Sequence, residues 1–233
     1  MPFSSGLRRN IVQCLDDFDI PLMLSHTVTK VHGRERVEGV TISEVGADRK
    51  PIPGTEEFIE CDTLLLSVGL IPENEIAKGA GIALDRVTGG AVVDEKRTTN
   101  LEGIFACGNA LHVHDLVDYV TEEAYIAGAA AADYIKNGAE SDVQKIETKA
   151  IDGVRYVLPQ KLNAKLDDDV TLYMRVAEVR KNVKLTLSFD GEVVKKYPRR
   201  IVTPGEMETI VLNAELREKL SGAKTVTVGI TEG

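Results

Sequence analysis

The chain has 233 residues, 43% hydrophobic and 28% charged, the balance of a globular protein with enough apolar content for two ordinary cores. Its net charge, 28 − 37 = −9, is repelled by phosphate backbones and anionic lipid, which argues against nucleic acid and membrane surfaces as partners. No apolar run reaches the ~18 residues of a membrane span, and the segment Met1 to Arg9 has no apolar core of a secretory signal, so a cytoplasmic location is expected.

In chain order, Leu7, Ile11, Cys14, Leu15 and Phe18 recur at helical spacing and predict a helix over 5–18. Asp16, Asp17 and Asp19 break that pattern, and Pro21 leads into an apolar strand expected at Leu22 to Leu24. Short β runs follow at Val28 to Val31, Val37 to Ile42 and Phe58 to Ile59, the last two separated by a hairpin loop through Gly46, Pro51, Pro53 and Gly54. The run Thr63 to Val68 is uniformly apolar in its middle, which suits a strand covered on both faces. Beyond it the spacing predicts a short helix at Glu73 to Lys78, stopped by Gly79 and Gly81. A hairpin through Thr88-Gly89-Gly90 and a short buried strand at Ile104 to Ala106 come next. An alanine-crowded helix over Leu116 to Lys136 then ends at Asn137-Gly138.

After the polar stretch 139–143 the texture becomes all-β. Val170, Leu172, Met174 and Val176 alternate with other residues, as do Val183, Leu185, Leu187 and Phe189, and later Val226, Val228 and Ile230. Asp190-Gly191 is a two-residue hairpin signal, and one short helix is expected at Ala214 to Leu220. Strands at this spacing predict a small sandwich over 145–233, whose acidic residues sit at turns and whose role is contact rather than chemistry.

Three segments in the middle of the chain carry the chemical information. Asp62-Thr63-Leu64-Leu65-Leu66-Ser67-Val68-Gly69 ends an apolar strand in glycine. Thr88-Gly89-Gly90-Ala91-Val92-Val93-Asp94-Glu95 makes a return hairpin. Thr98-Thr99-Asn100-Leu101-Glu102-Gly103-Ile104-Phe105-Ala106-Cys107-Gly108-Asn109 ends a second strand in glycine followed by a polar side chain. A glycine there lets backbone approach a ligand closely, and the next side chain can hydrogen-bond a sugar hydroxyl. In this order and spacing the three resemble the pyridine nucleotide–disulfide oxidoreductases, in the branch with thioredoxin-reductase-like layout. The tail and the stretch from Asn109 to Glu123 resemble, more narrowly, the oxidoreductases encoded alongside anaerobic glycerol-3-phosphate dehydrogenases.

The resemblance implies an α/β fold, part of a two-dinucleotide-binding-domain flavoprotein, followed by the small all-β sandwich. Residues 1–70 would be the latter part of a nicotinamide-binding domain, 71–140 the C-terminal segment of an FAD-binding domain, and 145–233 an accessory domain. It implies cofactor contacts at Gly69, Gly108 and Asn109, and at the backbone of Val120, where the helix start would face the flavin. The family usually has Asp where this chain has Asn109, so the position supplies an amide rather than a carboxylate. In the parent enzyme NAD(P)H would reduce FAD, and electrons would pass to a partner subunit or other acceptor.

Neither GxGxxG unit of that family occurs in the chain, so Met1 is expected to fall just after the second strand of the nicotinamide domain. This chain alone is therefore expected to retain neither FAD nor NAD(P) and to be inactive. The alternative reading is a non-catalytic interaction module, docking a partner or a second copy through the tail, with a vestigial flavin-type segment.

Other features have plainer readings. His112-x-His114 with Asp115 and Asp118 has no third metal ligand at recognisable spacing, and no metal is expected. Gly79-Ala80-Gly81 is a helix stop, and Arg8 and Arg9 are a solvated first turn. Cys14, Cys61 and Cys107 are odd in number and lack a CxxC pair, which predicts half-buried thiols rather than disulfides. Cys107, beside the flavin-type motif, reads as a small buried filler.

Overall fold

The computed structural model describes residues 8–67, 69–139 and 144–233. Leu7, Val68 and most of the polar stretch 139–143 lie outside the described residues, and Arg8 is described by its backbone alone. The chain divides into two compact units, Met1–Gly69 and Leu70–Gly233.

In the first unit, helix α1 spans Arg8–Cys14 among the described residues and ends four residues before the predicted end at Phe18. The chain tightens into a 3₁₀ turn at Asp16–Phe18 and ends in left-handed Asp19, φ 54°. Aspartates compete for nearby backbone groups and so favour such endings over helix interiors. Cys14 is exposed rather than half-buried, whereas Cys61 and Cys107 are intermediate. Strands β1 (His26–His32), β2 (Gly39–Glu44) and β3 (Glu57–Glu60) form an antiparallel sheet in the order β1-β2-β3. Only β2, the central strand, buries most of its residues.

Two predicted strands of this unit do not form. Leu22 to Leu24 is irregular and partly exposed, and Thr63 to Ser67 pairs with no strand, leaving Leu65 88% and Leu66 74% exposed. An apolar run becomes a strand only when neighbouring strands take its backbone N–H and C=O groups. No strand among the described residues does so here.

In the second unit, helix α2 (Glu75–Gly79) leads to a tight hairpin in which Val92 N–H donates to Ala83 C=O at 2.8 Å and Asp85 N–H to Gly90 C=O at 2.8 Å. Gly90 passes the backbone of Leu111 so closely that a Cβ there would lie 1.7 Å from its carbonyl oxygen. Helix α3 follows at Val117–Asn137, shifted one residue toward the C-terminus from the predicted bounds, and is closed by Gly138 at φ 81°. Its carbonyls thus end on a residue free to take a left-handed turn.

The remaining elements are β4 (Lys145–Ala150), β5 (Val154–Leu158), β6 (Lys161–Asn163), β7 (Val170–Val176), β8 (Arg180–Phe189), β9 (Glu192–Val202), β10 (Glu208–Leu212), α4 (Ala214–Leu220) and β11 (Thr225–Glu232). They make a three-stranded sheet, β10-β7-β5, and a five-stranded sheet, β6-β4-β11-β8-β9. One core cluster draws Leu172 and Met174 from the first sheet, Leu185, Leu187, Val226 and Val228 from the second, and Leu216 and Leu220 from α4. The α4 bounds are those predicted, and Asn213 caps the helix by accepting from the Leu216 N–H.

This β-rich part is joined firmly to the preceding segment. Val93 N–H donates to Gln160 Oε1 at 3.1 Å, Asn163 N–H donates to Glu95 Oε2 at 3.0 Å, and Lys145 pairs with Asp94 at 2.8 Å. Ala91, Val93, Leu111 and Leu158 form a second small core across the same junction. The architecture is mixed α/β, and most of it is sheet.

Candidate functional site

The second glycine-ending segment builds a defined turn. Ala106 N–H donates to Arg97 C=O and Thr99 N–H to Ile104 C=O, so 104–106 pairs back on 97–99 as a short antiparallel bridge at Thr98 and Phe105, with Ile104 more exposed than the expected buried strand. The chain leaves the bridge extended at Cys107 and enters a 3₁₀ turn, Gly108–Ala110, through Gly108 at φ +68°. That left-handed angle favours glycine, and a Cβ there would touch Val120 Cγ1 at 3.4 Å.

The next side chain, Asn109, is exposed, and its Oδ1 accepts the His114 N–H at 3.1 Å. Its acceptor oxygen is thus engaged inside the loop. Val120 is the fourth residue of α3, one position inside the amides that lack an intrahelical acceptor in a regular helix. Gly108, Asn109 and Val120 are therefore neighbours. Gly69, at φ +95° with open space where a Cβ would stand, closes the first unit and belongs to that unit alone.

Behind the turn lies a buried polar cluster that sequence reasoning did not assemble. Glu123 projects from α3, and its side chain is 0% exposed. Arg97 Nε donates to Glu123 Oε1 at 2.9 Å, Gly108 N–H donates to Oε2 at 2.8 Å, and His114 Nε2 contacts Oε2 at 2.9 Å. His112 Nε2 stands 3.4 Å from Oε1, without a good hydrogen bond, and His114 Nδ1 is buried without a partner. The one available signal was register. Val120, Glu123 and Ala127 fall on one helical face, where an acid needs buried partners. Nothing local marked Arg97.

The β-rich part closes this cluster. The Tyr173 ring packs edge-on to both histidines, with centroids at 5.7 and 6.1 Å, and lies under the Arg97 guanidinium at 6.0 Å. Tyr156 Oη stands 3.4 Å from His112 Nδ1. Alongside, Arg175 donates to Val113 C=O at 3.0 Å and pairs with Asp115, which also accepts the Met207 N–H at 2.7 Å.

Burial opposes a charge on Glu123, but the two imidazoles and Arg97 outweigh it and hold the carboxyl well below the usual range. Burial pushes the His112 imidazole down despite the nearby carboxylate, which favours its neutral form. Burial, then the Glu123 charge, pushes the Cys107 thiol up, so it is a poor nucleophile at neutral pH.

His112, His114 and Glu123 offer ligand atoms within 4.8 Å of one another, so the fold supplies the third group that sequence spacing did not. The Arg97 charge, already on the same carboxylate, opposes a divalent cation there. A separate cavity of about 550 Å³ opens between α3, at Ile126 and Ala130, and the loop through Leu166 and Asp168. Gly108, Asn109 and Val120 do not line it.

Residues 1–124 match the family model described as pyridine nucleotide-disulphide oxidoreductase. Among curated proteins, the chain is 27% identical over 142 residues to a ferredoxin–NADP reductase of Ignicoccus hospitalis, covering 58% of this chain and 46% of that protein. It is 33% identical over 89 residues to the ferredoxin reductase component of a chlorobenzene dioxygenase from a Cupriavidus species, covering 35% and 21%. It is 28% identical over 109 residues to an NADH oxidase of Methanocaldococcus jannaschii, covering 47% and 20%. The chain spans less than half the length of these relatives. No helix among the described residues is long and apolar enough to cross a membrane. With the family model covering more than half of its length, the chain belongs to the pyridine nucleotide-disulphide oxidoreductase family.

Proposed function

We propose that this chain is the C-terminal part of an FAD-dependent NAD(P)H oxidoreductase that passes electrons from NAD(P)H through FAD to a partner subunit or other acceptor. One observation carries the reading. The left-handed glycine turn Gly108–Ala110 presents exposed Asn109 beside the start of α3, inside the stretch that matches the family. Buried Gly108 sets the turn, exposed Asn109 offers its side chain to a sugar hydroxyl, and the helix start near Val120 favours an electron-rich ring edge. Gly69 has the corresponding role on the nicotinamide side.

The two sheets of the tail, sharing one core, support a sandwich-type accessory domain over 145–233, with a docking role toward a partner subunit or a second copy. A cytoplasmic setting and an association with anaerobic glycerol-3-phosphate dehydrogenase belong to the same proposal. The names of the relatives, which include a ferredoxin–NADP reductase and a dioxygenase's ferredoxin reductase component, favour a protein electron acceptor.

Both pyrophosphate-binding glycine turns are absent from the sequence, and losing even two charge-assisted hydrogen bonds, at about 1.5–3 kcal/mol each, removes two or more decades of affinity. The purified chain is therefore expected to be colourless and unable to oxidise NADH. Titration with FAD to millimolar levels, followed by backbone amide resonances, should move Gly108, Asn109 and the first turn of α3 and leave the β8 and β11 amides still. No shift there, or shifts elsewhere, would reject this reading in favour of an interaction module with a vestigial flavin-type segment.

A further inference from the structure

The cluster centred on Glu123 is not used by the proposed cofactor contacts, yet it touches both residues of the turn that makes them. Glu123 Oε2 holds the Gly108 N–H at 2.8 Å, and the backbone of His114, whose ring meets the same carboxylate oxygen, holds Asn109 Oδ1 at 3.1 Å. We propose that Glu123 is a positioning residue: a buried carboxylate, neutralised by Arg97, that sets the Gly108–Asn109 turn and links it through His112 and His114 to Tyr156 and Tyr173 of the β-rich tail. Calling the turn a cofactor contact rests on the function proposed above, but the mechanical link does not.

Charge and hydrogen bonding both favour this arrangement. The carboxylate carries one negative charge and Arg97 one positive, so the pair is balanced by itself. A buried pair survives only when its remaining lone pairs are also satisfied, and Gly108 and His114 supply those donors. For His114 to donate to Glu123, its Nε2 must carry the proton. The Tyr156 hydroxyl is shared between His112 Nδ1 at 3.4 Å and Met207 Sδ at 3.8 Å, and where it donates to His112 that ring carries its proton on Nε2, beside Glu123 Oε1. A divalent ion held by the two Nε2 atoms would require the opposite tautomers and would lie against Arg97. The tail reaches the turn because two of its aromatic rings form the far wall of this pocket. Displacing the tail therefore exposes the histidines and loosens the turn.

The test uses the full chain and two variants. In the wild type, ¹⁵N shifts of the imidazoles should report both rings as Nε2–H tautomers, and the Gly108 amide should exchange slowly. Glu123→Gln replaces an acceptor facing several donors with a half-donor amide. It should speed Gly108 exchange at least tenfold while the β8 and β11 amides keep their protection. Tyr156→Phe, which leaves the charge pair intact and folds on the same core, should speed Gly108 exchange severalfold from the tail side.

Unchanged Gly108 exchange in either variant that folds overturns the proposal. So does stoichiometric binding of Zn²⁺ to the wild type with both histidines in the Nδ1–H form. Should Glu123→Gln not fold, Tyr156→Phe alone decides the link to the tail, and the wild-type tautomers decide the donors to Glu123. If FAD moves no resonance at the turn, the proposed function fails while these measurements still stand or fall by themselves.

Discussion

Leu64-Leu65-Leu66 and the Leu185-x-Leu187 pair of β8 are similarly apolar, yet they meet opposite fates. Leu65 and Leu66 are largely exposed in a segment with no strand pairing, whereas Leu185 and Leu187 are fully buried between two sheets. Hydrophobicity supplies the drive to bury but not the partner that accepts the burial. In β8 the partners are β11 and β9, both within the described residues, and the alternating pattern turns the leucines toward one shared core. The run at Thr63 to Ser67 finds no such neighbours among the described residues. An exposed apolar run of this kind stays available for association with further polypeptide.

Truncation should expose the contrast most strongly. Leu187→Ala removes buried methyl groups from the centre of the shared core and should cost about 2–5 kcal/mol, read as a lowered urea midpoint in far-UV circular dichroism. If the loss were below about 0.5 kcal/mol, within the range of ordinary surface substitutions, β8 would be no more buried in solution than Thr63 to Ser67.

Acid should separate the regions next, because the second unit encloses a neutral histidine. Burial lowers the His112 imidazole from its ordinary 6.5 in the folded chain, while the unfolded chain keeps the ordinary value. Its contribution is therefore fully present above about 6.5 and declines as pH falls below it, where only the unfolded chain takes up the proton. Glu123, held low, loses its contribution in a separate window as pH falls below its ordinary 4.5. Near-UV circular dichroism of the tyrosines across pH 7 to 5 should follow the first decline, and His112→Gln should flatten it. A curve unchanged by that substitution would remove His112 as its source.

Leu66→Ser should have the smallest effect on stability, within about 0.5 kcal/mol, because its side chain already meets water. Its larger consequence should be a lower tendency to self-associate, measurable by light scattering at rising concentration. A destabilisation comparable with Leu187→Ala would show that this segment is buried in solution.

The contrast also marks what was legible without coordinates. Alternation, the Asp190-Gly191 turn and the glycine after α3 each rest on local rules about backbone angles and repeat. The tail strands, α4 and the long helix accordingly appear close to where the sequence places them. A glycine closing a short paired segment at Gly108 is legible for the same reason, and its cofactor role belongs to the proposal above.

Tertiary structure alone decided the rest. Burial of a uniformly apolar run depends on neighbours supplied from elsewhere, so Leu22 to Leu24 and Thr63 to Ser67 read as strands and are not. Arg97, His112, His114 and Glu123 are separated by as many as 26 positions, and Tyr156 and Tyr173 lie farther along still. No spacing rule joins them. They meet because a buried carboxylate must find compensating charge and donors, and the fold brings those groups to one place.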